Sequence, residues 1–301
     1  MKAYLAERFP NTRTVFERYK DEARPIQVPA SAVAIGGTGT VGGAFDYLVR
    51  FLIHPQPDVD LAGAGASPYG RWMRQALSEL ASRLGAHPLS PNGSSKEEPL
   101  TMFIGPPWPS IPDFELLARG CWALALLTEI ARGVPPGRSP LAELDPHTAN
   151  ADDLLAIAPS AGLEQLSALR SQAEAVLLPA LASRRGPWVL GPTFEGSTLM
   201  NADADMIAAG TLIEIKTVLG NKRKDGTRYA SLDAPTLFQM LGYVLLDFHD
   251  EFAIHELMYF NARYGYAATW QLEGLLNTLA GRTVELPALR AEFAAFLRAG
   301  M

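Results

Sequence analysis

Hydrophobic and polar positions divide the chain into three regions. From Gly43 to Ile53, Phe45, Leu48, Val49 and Leu52 recur at three- and four-residue spacing, the pattern of a helix with one buried face. Between about 55 and 160, helical stretches near 70–84 and 113–132 are separated by the Pro/Gly/Ser-rich connectors HPLSPNGSSKEEP, GPPWPSIP and GVPPGRSP. Strand patterns are almost absent there, so the region reads as a helical, loop-rich insertion, not as a βαβ domain. From about 162, an amphipathic helix (Leu163, Leu166, Leu169, Ala173, Val176, Leu177, Leu181) leads into the strand-like PWVLGPTF, STLMNADADMIA and TLIEIKTV, the last two joined across Ala209-Gly210 as a hairpin. A polar loop, GNKRKDGTR, precedes a helix from about Asp233 to Phe248, two strands (FAIHELMYF and YGYAATW), and helices near 271–280 and 286–299.

The expectation is an α/β protein. Residues 1–54 would form the N-terminal part of a core, 55–160 the insertion, and 161–301 the rest of the core with its C-terminal helices.

Composition removes several classes. The 301 residues include one cysteine, Cys121, so neither an internal disulfide nor a cysteine-built zinc or iron–sulfur site can form. No segment approaches the roughly 20 apolar residues of a membrane span, and Glu7 and Arg8 interrupt any signal-like run. A cytoplasmic protein is expected. The net charge of −6 argues against a chain coated with basic residues, but not against a local basic groove.

Asp205, Glu214 and Lys216 stand inside the most apolar strands of the chain. In Thr211–Thr217, strand alternation sends Glu214 and Lys216 to one face and Ile213 and Ile215 to the other. Asp205 lies across the short turn, where it can converge on Glu214. An isolated buried charge costs several kcal/mol, so such groups persist when paired or metal-bound. Two carboxylates, a backbone carbonyl such as that of Ile215, and water make the oxygen-rich site that Mg²⁺ prefers. A neighbouring lysine suits attack by metal-bound water on a phosphodiester. The same triad would also suit a structural ion-pair cluster at a sheet end.

The next helix favours the chemical reading. Gln239-Met-Leu-Gly-Tyr243 places Gln239 and Tyr243 at i and i+4 on one face. With Asp205, Glu214-x-Lys216 and Gln239-x-x-x-Tyr243, the sequence resembles the RecB-like, QxxxY branch of the PD-(D/E)XK nuclease superfamily over residues 162–272. That resemblance implies a restriction-endonuclease-like core, a central mixed sheet flanked by helices. It implies Asp205 and Glu214 as metal ligands, Lys216 as catalytic lysine, and Gln239 and Tyr243 supporting the site or touching the nucleic-acid backbone. The cofactor would be Mg²⁺, with Mn²⁺ as substitute, and the substrate DNA, in repair, recombination or phage defence. The alternative is an inactive nuclease-fold module that binds nucleic acid, or a protein partner through the insertion.

The sequence departs from the family pattern at two places. Ala204 replaces the proline before the first aspartate, and the early GxxxH motif has only Gly42-Gly-Ala-Phe-Asp46 as its nearest match. Asp46 is therefore a candidate third ligand, with Glu174 as its competitor. The four cysteines of some relatives are missing, so no iron–sulfur cluster is expected.

Other patterns compete with this reading. Gly37-Thr-Gly39-Thr-Val-Gly42 matches a dinucleotide fingerprint after the apolar Ala32–Ile35. Asp58 and Asp60 have roughly the required offset, but HPQPDVDLAGAG is no buried strand and no further βαβ unit follows. A glycine-rich turn opening a helix that packs on the nuclease core is the simpler expectation. Asp203-Ala-Asp205 matches a DxD element but leaves ExK and QxxxY unexplained, and the five histidines show no ligand spacing. Lys222, Arg223, Lys224 and Arg228 are expected to hold phosphates beside the site, with Arg263 as a further backbone contact. Aromatics of Tyr259–Tyr264 are candidates for base stacking, although core packing suits Tyr259 better.

Overall fold

A computed structural model of the chain describes residues 1–30, 37–89, 102–103 and 105–300. The first helices are α1 (Lys2–Arg8), α2 (Arg13–Glu22), α3 (Gly37–Ile53), α4 (Asp60–Ala66), α5 (Arg71–Leu84), α6 (Phe114–Ala131), α7 (Ala151–Ala156), α8 (Ser160–Gln172) and α9 (Leu178–Ala182). Strands β1 (Trp188–Leu190), β2 (Met206–Ala208), β3 (Thr211–Lys216), β4 (Asn221–Lys222) and β5 (Arg228–Tyr229) precede α10 (Ala234–Leu246). Strands β6 (Glu256–Asn261) and β7 (Tyr266–Gln271) and helices α11 (Leu272–Ala280) and α12 (Leu286–Ala299) complete the chain. Among the described residues no helix is long and apolar enough to cross a membrane.

Two compact units result. One comprises Met1–Gln27, Leu100–Ile104 and Pro179–Met301, and the other Val28–Pro99 and Gly105–Leu178. These divisions differ from the expected boundaries at 54 and 160. The cause is α6, which is apolar around most of its circumference: α3 and α4 lie along it, and α8 packs on α3 and α6. The periodic stripe of α3 is thus buried in the helical unit, so α3 is not part of the sheet unit's core.

The glycines explain this packing. A Cβ at Gly43 would stand 3.3 Å from the Ala125 methyl, and one at Gly65 only 1.8 Å from the Leu127 carbonyl oxygen. Gly37–Gly42 is already helical, forming the first turns of α3 rather than a separate turn. There, Thr40 Oγ1 donates to Glu129 Oε1 at 2.6 Å, which sets the protein's own carboxylate beside the opening of α3, where a pyrophosphate would have to bind. The preceding Ala32–Ile35 lies outside the described residues.

The sheet unit holds a five-stranded mixed sheet in the order β1-β2-β3-β6-β7. β3 and β6 are parallel and the other neighbouring pairs antiparallel, so the chain must cross over between β3 and β6, and α10 makes that crossing. One face of the sheet contributes Val189, Ile207, Leu212, Leu257, Tyr259 and Ala268 to a core shared with α1, α2, α10, α11 and α12. On the other face Trp188, Met206, Ile213, Ile215, Met258 and Phe260 are also buried. STLMNADADMIA yields strand only at Met206–Ala208, because Glu195–Thr198 turns as a short 3₁₀ helix.

β2 and β3 join through the expected tight hairpin, with Ala209 and Gly210 at φ of 48° and 77°. Alanine in this left-handed conformation costs about 1 kcal/mol, whereas asparagine adopts it readily. Ala209→Asn is therefore expected to stabilise the protein by about 0.5–1 kcal/mol. A urea midpoint at or below that of the wild type would contradict this.

At the far end of α10, Arg290 of α12 is 4% exposed. Its Nε donates to the Val244 carbonyl at 3.1 Å, Nη1 to Asp250 at 2.6 Å and Nη2 to Asp247 at 3.1 Å. Asp247 also accepts the Glu251 N–H at 2.8 Å. Burial nevertheless keeps the Asp247 carboxyl above its ordinary pKa, with Arg290 acting in the opposite direction.

Candidate active site

Strand register assembles the acidic pair. β2 and β3 pair Met206 with Ile213, so one residue further out Asp205 stands opposite Glu214. Alternation then puts Asp205, Glu214 and Lys216 on the face that carries Leu212 and Tyr259, the face packed by α10. Glu214 is fully buried and ion-paired with Lys216, whose side chain is 29% exposed. Asp205 is half-buried and accepts the Ile215 N–H through Oδ2 at 2.6 Å, which ties the two strands together at the site.

Ala204, where the resemblance led to the expectation of a proline, makes a bond of its own. Ala204 N–H donates to the Pro192 carbonyl at 3.1 Å, a bond that proline has no hydrogen to make.

Helix α10 supplies the second half of the constellation. Its start is fixed by Asp233, whose carboxylate accepts the Thr236 N–H at 2.9 Å. Two turns in, Gln239 Nε2 donates to Tyr243 Oη at 2.5 Å, and the Phe194 ring stacks on Tyr243 with centroids 5.7 Å apart. Burial, and then the negative charge of Glu214, hold the Tyr243 phenol well above its ordinary pKa, with Asp205 and Asp203 adding to the effect and the Gln239 hydrogen bond opposing it. Tyr243 is therefore a neutral hydroxyl beside the carboxylates and not a base. The sequence pattern gave no sign of Phe194. An aromatic eleven residues before Asp205 carries no spacing signal.

The two expected third ligands lie in the helical unit, each in an ion pair on its own helix. Asp46 on α3 pairs with Arg50 at 3.0 Å, and Glu174, in the π-helical segment Ala173–Leu177, pairs with Arg170 at 2.7 Å. Both are held by an arginine one turn along their own helix. Among the described residues, no three His, Cys, Asp or Glu side chains are grouped to hold a metal.

The basic segment is a two-stranded hairpin, β4–β5, rather than an irregular loop, and Lys222, Arg223, Lys224 and Arg228 are all exposed on it. Arg263 is a different case. It is 1% exposed, and its Nε donates to the Thr217 carbonyl at 2.7 Å, so it serves the fold and not a nucleic-acid surface. Tyr259 and Tyr264 are buried too, which removes them from base stacking. Burial also pushes the Arg263 pKa down and the Tyr259 pKa up.

Compared with protein-family models, curated proteins and solved structures, the chain gives no match.

Proposed function

We propose that the chain is a metal-dependent nuclease that hydrolyses DNA phosphodiester bonds on a PD-(D/E)XK-type core, in a setting such as repair, recombination or phage defence. The observation that carries this reading is the convergence of Asp205, Glu214 and Lys216 on one sheet face under the Gln239–Tyr243 turn of α10. The three antiparallel strands, the crossover helix and the parallel fourth strand agree with the element order of that core.

The donor set suits a hard cation. Asp205, Glu214 and the Ile215 carbonyl offer only oxygen, and Mg²⁺ needs few protein ligands because it keeps several waters. When bound, Mg²⁺ or Mn²⁺ would neutralise phosphate charge and acidify a water. Lys216 holds a positive charge at the solvent-facing side of the buried Glu214, where it can stabilise the charge that develops on phosphorus-bound oxygens. Gln239 fixes the Tyr243 hydroxyl, and Tyr243 remains protonated, so the base is not the tyrosine.

Purified protein is expected to degrade linear, circular or single-stranded DNA in Mg²⁺ or Mn²⁺ and to lose that activity in EDTA. Cleavage that survives EDTA, or no cleavage of any substrate, contradicts the reading. DNA retained at low salt but never cut would support the non-cleaving module instead.

A further inference from the structure

The connection between β3 and the basic hairpin is fixed one carbonyl at a time. The Lys216 carbonyl accepts from Ala262 N at 2.9 Å, Thr217 from Arg263 Nε at 2.7 Å and Val218 from Asn261 Nδ2 at 3.1 Å. Leu219 accepts from Tyr264 Oη at 2.6 Å and Gly220 from Arg228 Nη1 at 3.1 Å. The first four donors belong to one buried turn, Asn261 to Tyr264. At Gly220, φ is +65° and a Cβ would stand 2.0 Å from the Tyr229 carbonyl oxygen. With every carbonyl from 216 to 220 engaged, the hairpin has a set position relative to Lys216.

The hairpin is also ordered within itself. Arg223 N donates to Thr227 O at 2.7 Å, and Asp225 Oδ1 accepts both the Thr227 N–H at 2.9 Å and its hydroxyl at 2.6 Å. The segment's one acid is thus occupied in the turn, while its four cations face solvent. A fifth cation comes from another element. Lys20 of α2 and Arg223 both stand over the Tyr229 ring, 5.4 Å and 5.1 Å from its centroid.

We propose that the β4–β5 hairpin and Lys20 form a rigid clamp for the phosphate backbone of DNA that reads no bases. The choice of ligand rests on the nuclease reading above. Exposed cations suit a polyanionic backbone, and contacts to phosphate carry no sequence information. Tyr229, the hairpin's aromatic residue, is partly buried under two cations and serves to hold them together.

The test is DNA binding by the Lys216→Ala protein in EDTA across a salt series, with duplex and single-stranded oligonucleotides of unrelated sequence. Adding Lys20→Gln, Lys222→Gln and Lys224→Gln, all exposed positions, should flatten the slope of log affinity against log salt by about 2–3 and weaken binding at least about tenfold at 0.1 M salt. Tyr229→Leu changes no charge but should weaken binding about two- to fivefold, equally for duplex and single strand. An unchanged slope overturns the clamp. So do affinities that differ more than tenfold between sequences, or a Tyr229→Leu loss confined to single strands, which would indicate base stacking. Hairpin neutralisation without effect in a protein that still cleaves sinks the clamp alone. Intact, salt-sensitive binding in a protein that cleaves nothing sinks the nuclease reading alone.

Discussion

Lys216→Ala is expected to reduce metal-dependent DNA cleavage by about 10²–10³-fold, the range found when one preorganised charge-stabilising group is removed. It should also destabilise the metal-free protein by about 2–4 kcal/mol, because Glu214 is fully buried and would lose its cation. Glu214→Gln separates the two roles. It should abolish cleavage as thoroughly, yet leave metal-free stability within about 1 kcal/mol of the wild type, since a neutral amide is far cheaper to bury than a carboxylate. Cleavage rates in Mg²⁺ and urea melts in EDTA check both. Undiminished cleavage by Lys216→Ala ends the catalytic assignment, and a Glu214→Gln protein less stable than Lys216→Ala would mark the pair as structural.

The clustering of Asp205, Glu214 and Lys216 was legible in the sequence for a physical reason. Charges at Glu214 and Lys216 interrupt an apolar strand, and only pairing or metal binding makes such positions tolerable. Gln239 and Tyr243 were legible because helical spacing puts them on one face. Other features depend on partners far away in the chain. The stripe Phe45, Leu48, Leu52 says that something covers α3, but α6 is named only by the fold. Asp46 and Glu174 looked eligible as ligands, and the arginine at i+4 from Asp46 and at i−4 from Glu174 offered each an ion pair along its own helix. Arg263 lies in the aromatic stretch Tyr259–Tyr266, and that setting was the available sign of its burial. What no local pattern reveals is that its partner is a backbone carbonyl at Thr217.

Arg290→Met should cost about 3–5 kcal/mol and lower the melting temperature by roughly 10 °C. The loss comes less from the missing hydrogen bonds than from Asp247, which is 2% exposed and would have to bury its carboxylate without a cation or take up a proton. Asp250 is half of the same fork but is well exposed, with 56% of its side chain accessible, so water can replace the arginine there. Arg290→Met combined with Asp247→Asn should therefore be more stable than Arg290→Met alone, because asparagine keeps an acceptor for the Glu251 N–H and sheds the buried charge. Calorimetry on the three proteins decides this, and a double variant no more stable than the single one would show that the helix packing, not the charge, carries the effect.

The division of the chain into units has a consequence for how the protein is made. The helical unit begins at Val28 and is complete at Leu178, whereas the sheet unit opens with Met1–Gln27 and closes only with Pro179–Met301. Synthesis proceeds from the N-terminus at about 5–20 residues per second, and domains fold as units once they emerge. The helical unit is thus the first to gather all its parts outside the ribosome. Leu5, Phe9 and Tyr19, which the finished core buries against helices and strands made last, must wait through that whole interval without their partners. The segment Met1–Gln27 consequently stays without its core partners the longest.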